Sequence, residues 1–145
     1  MPDRLVRMIV AQQKKVISAP PEMTVDAAAR LMKKHKVGAL MVVDGTRLVG
    51  IFTERDALFR VLATKRAPHT TRLSSVMTRD PKTVSPDKSF GYALFMMYEG
   101  GFRHVPVVEG GQPIGVLSAR DALGPDLKQF SEEMLRREHI GEILG

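Results

Sequence analysis

An internal repeat constrains the fold of this chain more than any other feature of the sequence. Residues 50–58 read GIFTERDAL, and residues 115–123 read GVLSARDAL, 65 positions later. The correspondence continues without a gap when 21–58 is aligned with 86–123. A duplication of this length indicates that each copy is one supersecondary unit and that both copies fold alike.

Each copy predicts the element order β-α-β-β-α. A short extended lead-in precedes Thr24 or Ser89, which are placed to cap a first helix. Two apolar segments joined by turn residues then predict an antiparallel hairpin, and Thr53 or Ser118 opens a second helix. The apolar residues at helical spacing are Val25, Ala28, Leu31 and Met32 in copy one and Phe90, Ala93, Leu94 and Met97 in copy two; the predicted strands are 39–43, 48–52, 105–108 and 114–117.

A unit this small leaves one apolar sheet face uncovered, so we expect two copies to pack against each other. The predicted fold class is α/β (α+β), with two β-α-β-β-α repeats packed sheet to sheet and related by pseudo-twofold symmetry. Leu5, Met8 and Ile9 are expected on one face of a leading helix, and Pro125 near the first turn of a final one. The predicted organisation is an N-terminal helix or lead-in at 1–15, repeat 1 at 16–63, a linker at 64–72, repeat 2 at 73–124 and a C-terminal helix at 125–145.

Composition narrows the class of protein. The chain has no cysteine, which excludes disulfides, thiolate metal sites and cysteine nucleophiles. It has neither a long unbroken apolar run nor a signal-like N-terminus, so we expect a cytoplasmic protein without a membrane span. Residues 1–72 hold 14 Lys and Arg against 6 Asp and Glu, whereas residues 73–145 hold 8 against 10. The basic half suggests an anionic partner or an ordinary solvated surface; nucleic acid is disfavoured because no stacking aromatics accompany these cations.

Catalysis has little support in the sequence. The four histidines show no metal-ligand spacing. A nucleophile elbow, a P-loop and a glycine-rich dinucleotide loop are all missing. Because Asp56 recurs as Asp121 in the second copy, the pair indicates two equivalent binding positions rather than an acid–base couple. We therefore expect no enzyme activity and no metal site.

The repeated motif, G-h-h-[S/T]-x-R-D-A-L, permits two interpretations. In one, a hydroxyl followed three residues later by an acid is a capping box, which only starts a helix. Aspartate is the poorer acid for that box, where Glu or Gln reaches better. In the other, the free N–H groups of a helix start hold a phosphate, Arg55 or Arg120 adds charge-assisted bonds, and the aspartate accepts from ribose hydroxyls. Both interpretations need the same turn.

The two motifs and their lead-ins, VMTRDPKTVSPDKS and FRHVPVVEGG in the second copy, resemble the CBS domain, which takes its name from cystathionine β-synthase. The resemblance covers about residues 5–124 and suggests a stand-alone tandem CBS pair. It implies a regulatory module rather than an enzyme. Such pairs bind adenosine-containing ligands (AMP, ADP, ATP, S-adenosylmethionine or a dinucleotide), with or without magnesium, in clefts between the repeats, and often form homodimers that modulate another protein.

The resemblance also implies roles for residues that match the motif. Asp56 and Asp121 are expected to hold ribose hydroxyls, and Thr53 and Ser118 to contact ribose or phosphate. Backbone at Ser18-Ala19 and Thr83-Val84, together with Val37 and Ile51, is expected to flank adenine. The full set of expected ligand-binding residues is Ser18, Ala19, Val37, Ile51, Thr53, Arg55, Asp56, Thr83, Val84, Arg103, His104, Ser118, Arg120 and Asp121.

The copies differ just before their first hairpin strand. Copy two has Arg103-His104 where copy one has Gly38-Ala39. We therefore expect the two clefts to bind differently, or one of them to be empty, and the sequence leaves open which cleft Arg103 and His104 serve. The alternative function is a protein-interaction or structural module whose ligand clefts are vestigial. Neither the ligand nor a regulated partner follows from the sequence.

Overall fold

A computed structural model describes residues 4–13 and 16–144 of the chain. These residues form six α-helices and six strands, together with a π-helical segment and one 3₁₀ turn. The helices are α1 (Val6–Val10), α2 (Val25–His35), α3 (Glu54–Asp56, which continues as a π-helical segment over Ala57–Leu62), α4 (Leu73–Val76), α5 (Phe90–Gly100) and α6 (Gly124–Leu144). The strands are β1 (Ser18–Ala19), β2 (Ala39–Asp44), β3 (Arg47–Thr53), β4 (Thr78–Arg79), β5 (His104–Glu109) and β6 (Gln112–Ser118).

The two hairpins share one register. Ala39 pairs with Thr53 at the open end of β2–β3, and His104 pairs with Ser118 at the open end of β5–β6. Each hairpin also has an irregularity at the same place, between Val42 and Val43 in the first and 65 residues later in the second. Register is set by the alternation of buried and exposed side chains, so repeated sequence has produced repeated pairing.

Each copy has its own hydrophobic core. The first core gathers around Phe52 and Leu40, and the second around Phe90 and Leu117, all of them fully buried. The first hairpin belongs to a four-stranded sheet of order β1-β2-β3-β4, and the second to a two-stranded sheet. β3 contacts β6 where the two sheets meet. The predicted α/β fold class with packed sheets is thus confirmed.

The segments that lead into the repeats are exchanged between the cores. Val6 on α1 is buried in the second core, whereas Leu73 on α4 is buried in the first. The exchange is pseudo-symmetric, because individual backbone hydrogen bonds of one copy recur in the other. The matching backbone pairs are Val25 N to Thr71 O and Phe90 N to Arg4 O, both 2.8 Å, then Leu73 N to Met23 O and Val6 N to Lys88 O, both 2.9 Å.

The N-terminal helix is shorter than predicted, and one expected core residue faces solvent. Ile9 is buried as expected, but Met8 is 51% exposed because α1 covers only Val6–Val10 and turns its Val6–Ile9 side to the second core. Residues 1–3 and 14–15, the two ends of the predicted N-terminal segment, lie outside the described residues. On α2, Leu31 is only half-buried, whereas Val25, Ala28 and Met32 are buried as predicted.

The predicted second helix of copy two is wrong. Ser118 opens a single 3₁₀ turn over Ala119–Asp121, the chain is extended at Ala122, and the long helix α6 then begins at Gly124. Gly-Pro stands here where copy one has Phe-Arg. Pro125 has no backbone N–H with which to continue a helix from that turn, so the helix must start again.

A buried ion pair fixes the start of α6. A guanidinium nitrogen of Arg4 lies 3.0 Å from a carboxylate oxygen of Asp126, whose side chain is only 1% exposed. The guanidinium of Arg4 also lies over the ring of Phe90. Asp126 also accepts a hydrogen bond of 2.9 Å from the backbone N–H of Leu123. Through these contacts the N-terminal lead-in, the second core and α6 meet at one point. Within the described part of the chain no helix combines the length and apolarity needed to cross a bilayer.

Candidate functional site

The larger of two clefts lies between the copies and has a volume of about 720 Å³. One wall is the end of β3 and the start of α3, which bring Ile51, Thr53 and Asp56 to the cavity. The facing wall comes from copy two, where the loop after β4 and the C-terminal end of α5 contribute residues 80–82 and 100–104. Motif residues of one copy therefore face the pre-hairpin loop of the other.

The turn at Thr53 is a complete capping box. Asp56 Oδ2 accepts from the backbone N–H of Thr53 at 2.9 Å and from its hydroxyl at 3.2 Å, while Thr53 Oγ1 accepts from the backbone N–H of Asp56 at 3.2 Å. The second carboxylate oxygen, Oδ1, lies 3.5 Å from Arg60 Nε. Aspartate thus completes the box in this turn, because its short side chain reaches the capping N–H.

Charges of both signs line the large cleft. The cations are Arg55, Arg60, Lys82 and Arg103, and the carboxylates are Glu54, Asp56 and Asp80. Arg55 donates to the carbonyl oxygen of Gly101 at 3.1 Å, which ties α3 to the end of α5. Within the described residues, Lys82 and Arg103 form no ion pair, so two cations remain available to an anion in the cleft.

The smaller cleft is the pseudo-symmetric counterpart, with a volume of about 420 Å³. Ser118, Arg120 and Asp121 line one wall, and Val37 lies on the facing wall with Ile17 and other residues of copy one. Asp121 repeats the capping box with Ser118, but its carboxylate is exposed and accepts from the backbone N–H of Ser118 at the longer distance of 3.3 Å. Arg120 is the only Lys or Arg among the described residues that line this cleft.

Differences at matched positions account for the unequal clefts. Phe102 and Arg103 line the large cleft, and their counterparts in the small one are Val37 and Gly38. The edge of β3 is paired with strand β4, whereas at the matching place on β6 the side chain of Gln13 bonds to the backbone of Val116. The large cleft therefore offers an aromatic face and an extra cation that the small cleft does not have.

His104 lines both clefts, because it stands at the start of β5 between the two motif turns. Burial lowers the pKa of its imidazole below the usual 6.5. Glu54 on the side of the large cleft favours the charged form, as does Asp121 on the other side, while Arg120 and Arg103 oppose it. Arg103 thus lines the large cleft and His104 lines both clefts, an assignment that the sequence had left open.

The expected site residues divide into three groups. The large cleft brings together Ile51, Thr53, Arg55, Asp56, Arg103 and His104; the small cleft brings together Val37, Ser118, Arg120, Asp121 and, again, His104. Four expected residues lie on neither cleft lining: Ser18, Ala19, Thr83 and Val84. Ala19 and Val84 are buried in the cores, and their neighbours Ile17 and Lys82 reach the clefts instead.

Sequence reasoning missed several lining residues, among them Glu54, Lys82 and Phe102. Lys82 lies one residue before the expected Thr83, so only the register of the lead-in was at fault. Phe102 follows Gly100-Gly101, the end of α5, and stands immediately before Arg103. An aromatic residue beside that glycine pair was the available signal.

The fold and site define a class of protein: a tandem α/β repeat pair with two ligand-sized clefts between its copies. The chain belongs to the CBS domain family, whose model matches residues 7–63 and again 73–125. It is similar to an uncharacterized 17.7 kDa protein of Acidianus ambivalens, with 38% identity over 109 residues that are 74% of this chain and 65% of that one. A CBS domain-containing protein of Arabidopsis thaliana is 39% identical over 110 residues, 75% of this chain and 20% of its own length.

Solved structures give the same fold. A putative signal-transduction protein with CBS domains from Burkholderia ambifaria matches with a TM-score of 0.76 and 32% identity, over 87% of this chain and 93% of its own. A CBS domain protein from Pyrobaculum aerophilum complexed with AMP also has a TM-score of 0.76, over 88% and 98% of the two chains, but at 23% identity its likeness is one of fold. The tandem CBS pair predicted from the two motifs is confirmed. The chain spans between a fifth and two thirds of the length of the two curated relatives above.

Proposed function

We propose that this CBS pair is a regulatory module that binds an adenosine-containing ligand, with the large cleft as the principal site. One observation carries the proposal. The Thr53–Asp56 turn faces Lys82 and Arg103 across a single cavity that Phe102 also lines. Hydroxyl-binding, anion-binding and ring-stacking groups thus surround one space of about 720 Å³, within the roughly 300–1,000 Å³ of small-molecule sites.

Each part of a nucleotide has a candidate partner. Asp56 Oδ2 is occupied by the cap, so Oδ1 is the oxygen that would accept from ribose hydroxyls. Lys82 and Arg103 would neutralise phosphate, and Phe102 with Ile51 would enclose the base. Among the described residues no cluster of three acidic or histidine side chains could hold a metal ion. Magnesium would therefore enter with the phosphates of ADP or ATP rather than in a protein-built site.

Calorimetric titration with AMP, ADP, ATP, NAD and S-adenosylmethionine, with and without magnesium, tests the proposal. We expect micromolar binding of at least one ligand. Asp56→Asn keeps an amide oxygen for the cap but removes the carboxylate, and should weaken binding about tenfold or more, since a hydrogen bond to a charged group contributes roughly 1.5–3 kcal/mol.

Asp121→Asn is the matched control, because it makes the same change in the small cleft. It should leave the tighter site intact. Binding that is unchanged by Asp56→Asn and weakened by Asp121→Asn would move the principal site to the small cleft. The proposal would be contradicted if none of these ligands bound. The AMP complex of the Pyrobaculum aerophilum protein would then not extend to this chain.

The regulatory step is a population shift. A ligand that contacts both copies in one cleft favours the arrangement of the copies in which those contacts are best. The chain that responds would be a second polypeptide or an attached domain. An inosine-5'-monophosphate dehydrogenase of Korarchaeum cryptofilum contains a segment 36% identical to this chain over 117 residues, 23% of that enzyme. This relative supports a module that is used beside a catalytic unit.

Self-association is part of the proposal. Leu58, Phe59 and Leu62 are 51%, 59% and 67% exposed on the segment after α3, and we propose that a second copy covers them in a homodimer. The hexameric CBS-CP12 protein, at 26% identity and a TM-score of 0.75, supports oligomer formation in the family. Leu62→Asp should halve the mass measured by light scattering. Leu135→Asp, at an equally exposed leucine on α6, is the control that should leave it unchanged.

A protein-interaction module with vestigial clefts is the second candidate. The exposed leucines of α6, Leu127 and Leu135, are the observation that favours it, because they lie outside both cores. A stable complex in pull-down that needs these leucines, together with no response to any nucleotide, would select this candidate. Binding of AMP that depends on Asp56 would exclude it.

A further inference from the structure

Among the described residues, one titratable side chain lies between the two clefts and lines both. Each cleft has its own motif turn and its own facing loop, but His104 is the one residue that lines both. It occupies this place because β5 begins there and pairs its first residue with Ser118, the first residue of the second motif turn. The counterpart in copy one is Ala39, which lines only the small cleft and has no polar side chain.

The imidazole is free to respond to a ligand. Within residues 4–13 and 16–144 its nitrogens make no hydrogen bond to another group. Charges from both sides act on it: Glu54 belongs to the large cleft, whereas Arg120 and Asp121 belong to the small one, and Arg103 precedes it on the chain. His35 also lines the small cleft.

Resting on the proposed function, we propose that His104 couples the two clefts, so that a ligand or a charge change in one alters the affinity of the other. A phosphate brought into the large cleft favours the imidazolium. The same positive ring then faces the small cleft, where Arg120 is the other cation and Asp121 the counter-charge. The coupling is reciprocal, because binding free energies form a closed cycle.

The coupling has a ligand-independent signature in the titration of His104. Imidazole resonances followed by NMR against pH, with the His104 signal identified by its loss in His104→Asn, report its pKa directly. Glu54→Gln removes a carboxylate on the large-cleft side and should lower that pKa, whereas Arg120→Gln removes a cation on the small-cleft side and should raise it. Glu22→Gln changes an exposed carboxylate that lines neither cleft and is the control.

A double-mutant cycle tests the coupling with AMP as the probe. The affinity of the large cleft, recognised by its loss in Asp56→Asn, is measured in the parent, Arg120→Gln, His104→Asn and the double variant. We expect Arg120→Gln to change that affinity by about fivefold or more, the lower range of allosteric coupling, and expect no such change once His104 is replaced.

The possible failures are distinct. If either Glu54→Gln or Arg120→Gln leaves the His104 titration unmoved, the shared wall carries no signal and the proposal is overturned. If the two substitutions act additively on AMP affinity, the coupling does not pass through His104 and the proposal is again overturned. If AMP and the other adenosine ligands fail to bind at all, that result contradicts the proposed function, and the proposed coupling between ligand sites is contradicted together with it.

Discussion

Gln13 Nε2 donates a hydrogen bond of 2.7 Å to the carbonyl oxygen of Val116, and Val116 N donates back to Gln13 Oε1 at 3.4 Å. One side-chain amide thereby does for the edge of β6 what strand β4 does for the edge of β3. The bond also joins the N-terminal segment to the small cleft, which Gln13 and Val116 both line.

Replacing Gln13 should therefore destabilise the second copy. Gln13→Ala leaves the half-buried backbone groups of Val116 without this partner, and we expect a loss of about 1–2 kcal/mol in the free energy of unfolding. Urea denaturation measures the change. Gln12→Ala removes the same side chain from an exposed neighbour and should have little effect; equal losses in both variants would show that the edge contact contributes nothing.

The two motif hydroxyls should differ in their contribution to stability. Both hydroxyls belong to a capping box, but that of Thr53 pairs with the buried Asp56 through bonds of 2.9 and 3.2 Å, whereas that of Ser118 pairs with the exposed Asp121 and its bonds are 3.3 Å long. Thr53→Ala should cost about 1 kcal/mol, a typical value for a lost N-cap. Ser118→Ala, the matched variant, should cost less. The opposite order in thermal or urea unfolding would contradict the capping asymmetry.

The ends of α2 and α5 offer a reciprocal pair of substitutions. Both helices end in a left-handed residue, Lys36 with φ 55° and Gly101 with φ 72°, and these positions are 65 apart in the sequence. Lys36→Gly relieves the left-handed strain but adds backbone entropy to the unfolded chain, so we expect a small gain of about 0.5 kcal/mol. Gly101→Lys should lose about 1 kcal/mol. Stability that falls in the first variant and rises in the second would contradict this assignment of the caps.

Stability should depend on pH through His104. Burial lowers the pKa of its imidazole below 6.5 in the folded state, so the unfolded chain binds the proton more readily. The contribution of the neutral His104 to the free energy of unfolding is therefore fully present above pH 6.5, and it is lost as the pH falls from 6.5 through the lower pKa of the folded state. His104→Asn should flatten the profile of unfolding free energy against pH in this acidic range. His69→Asn, at an exposed position between α3 and α4, keeps the imidazole at 104 and should keep the slope. A slope that survives His104→Asn would mean that other groups cause it.

The repeated sequence was sufficient for most of the local structure of the two copies. It set the hairpins with their shared register, the helices capped at Thr24 and Ser89, and the motif turns at Thr53 and Ser118. These features depend on residues that are close along the chain, where periodicity and capping chemistry act directly. The same locality explains the error in copy two, since a single Gly-Pro pair outweighs the duplicated pattern around it.

Tertiary structure decided which residues meet across the copies. The exchange of α1 and α4 between the cores and the Gln13 contact with β6 join segments about a hundred residues apart or separated by a whole repeat. The placement of His104 between the two clefts likewise follows from the packing of β5 beside both motif turns. The repeated residues determine the strands, helices and turns of each copy, because these depend on interactions between residues that are close along the chain. The clefts exist only between copies, so their volumes, charges and shared wall are properties of the packed pair.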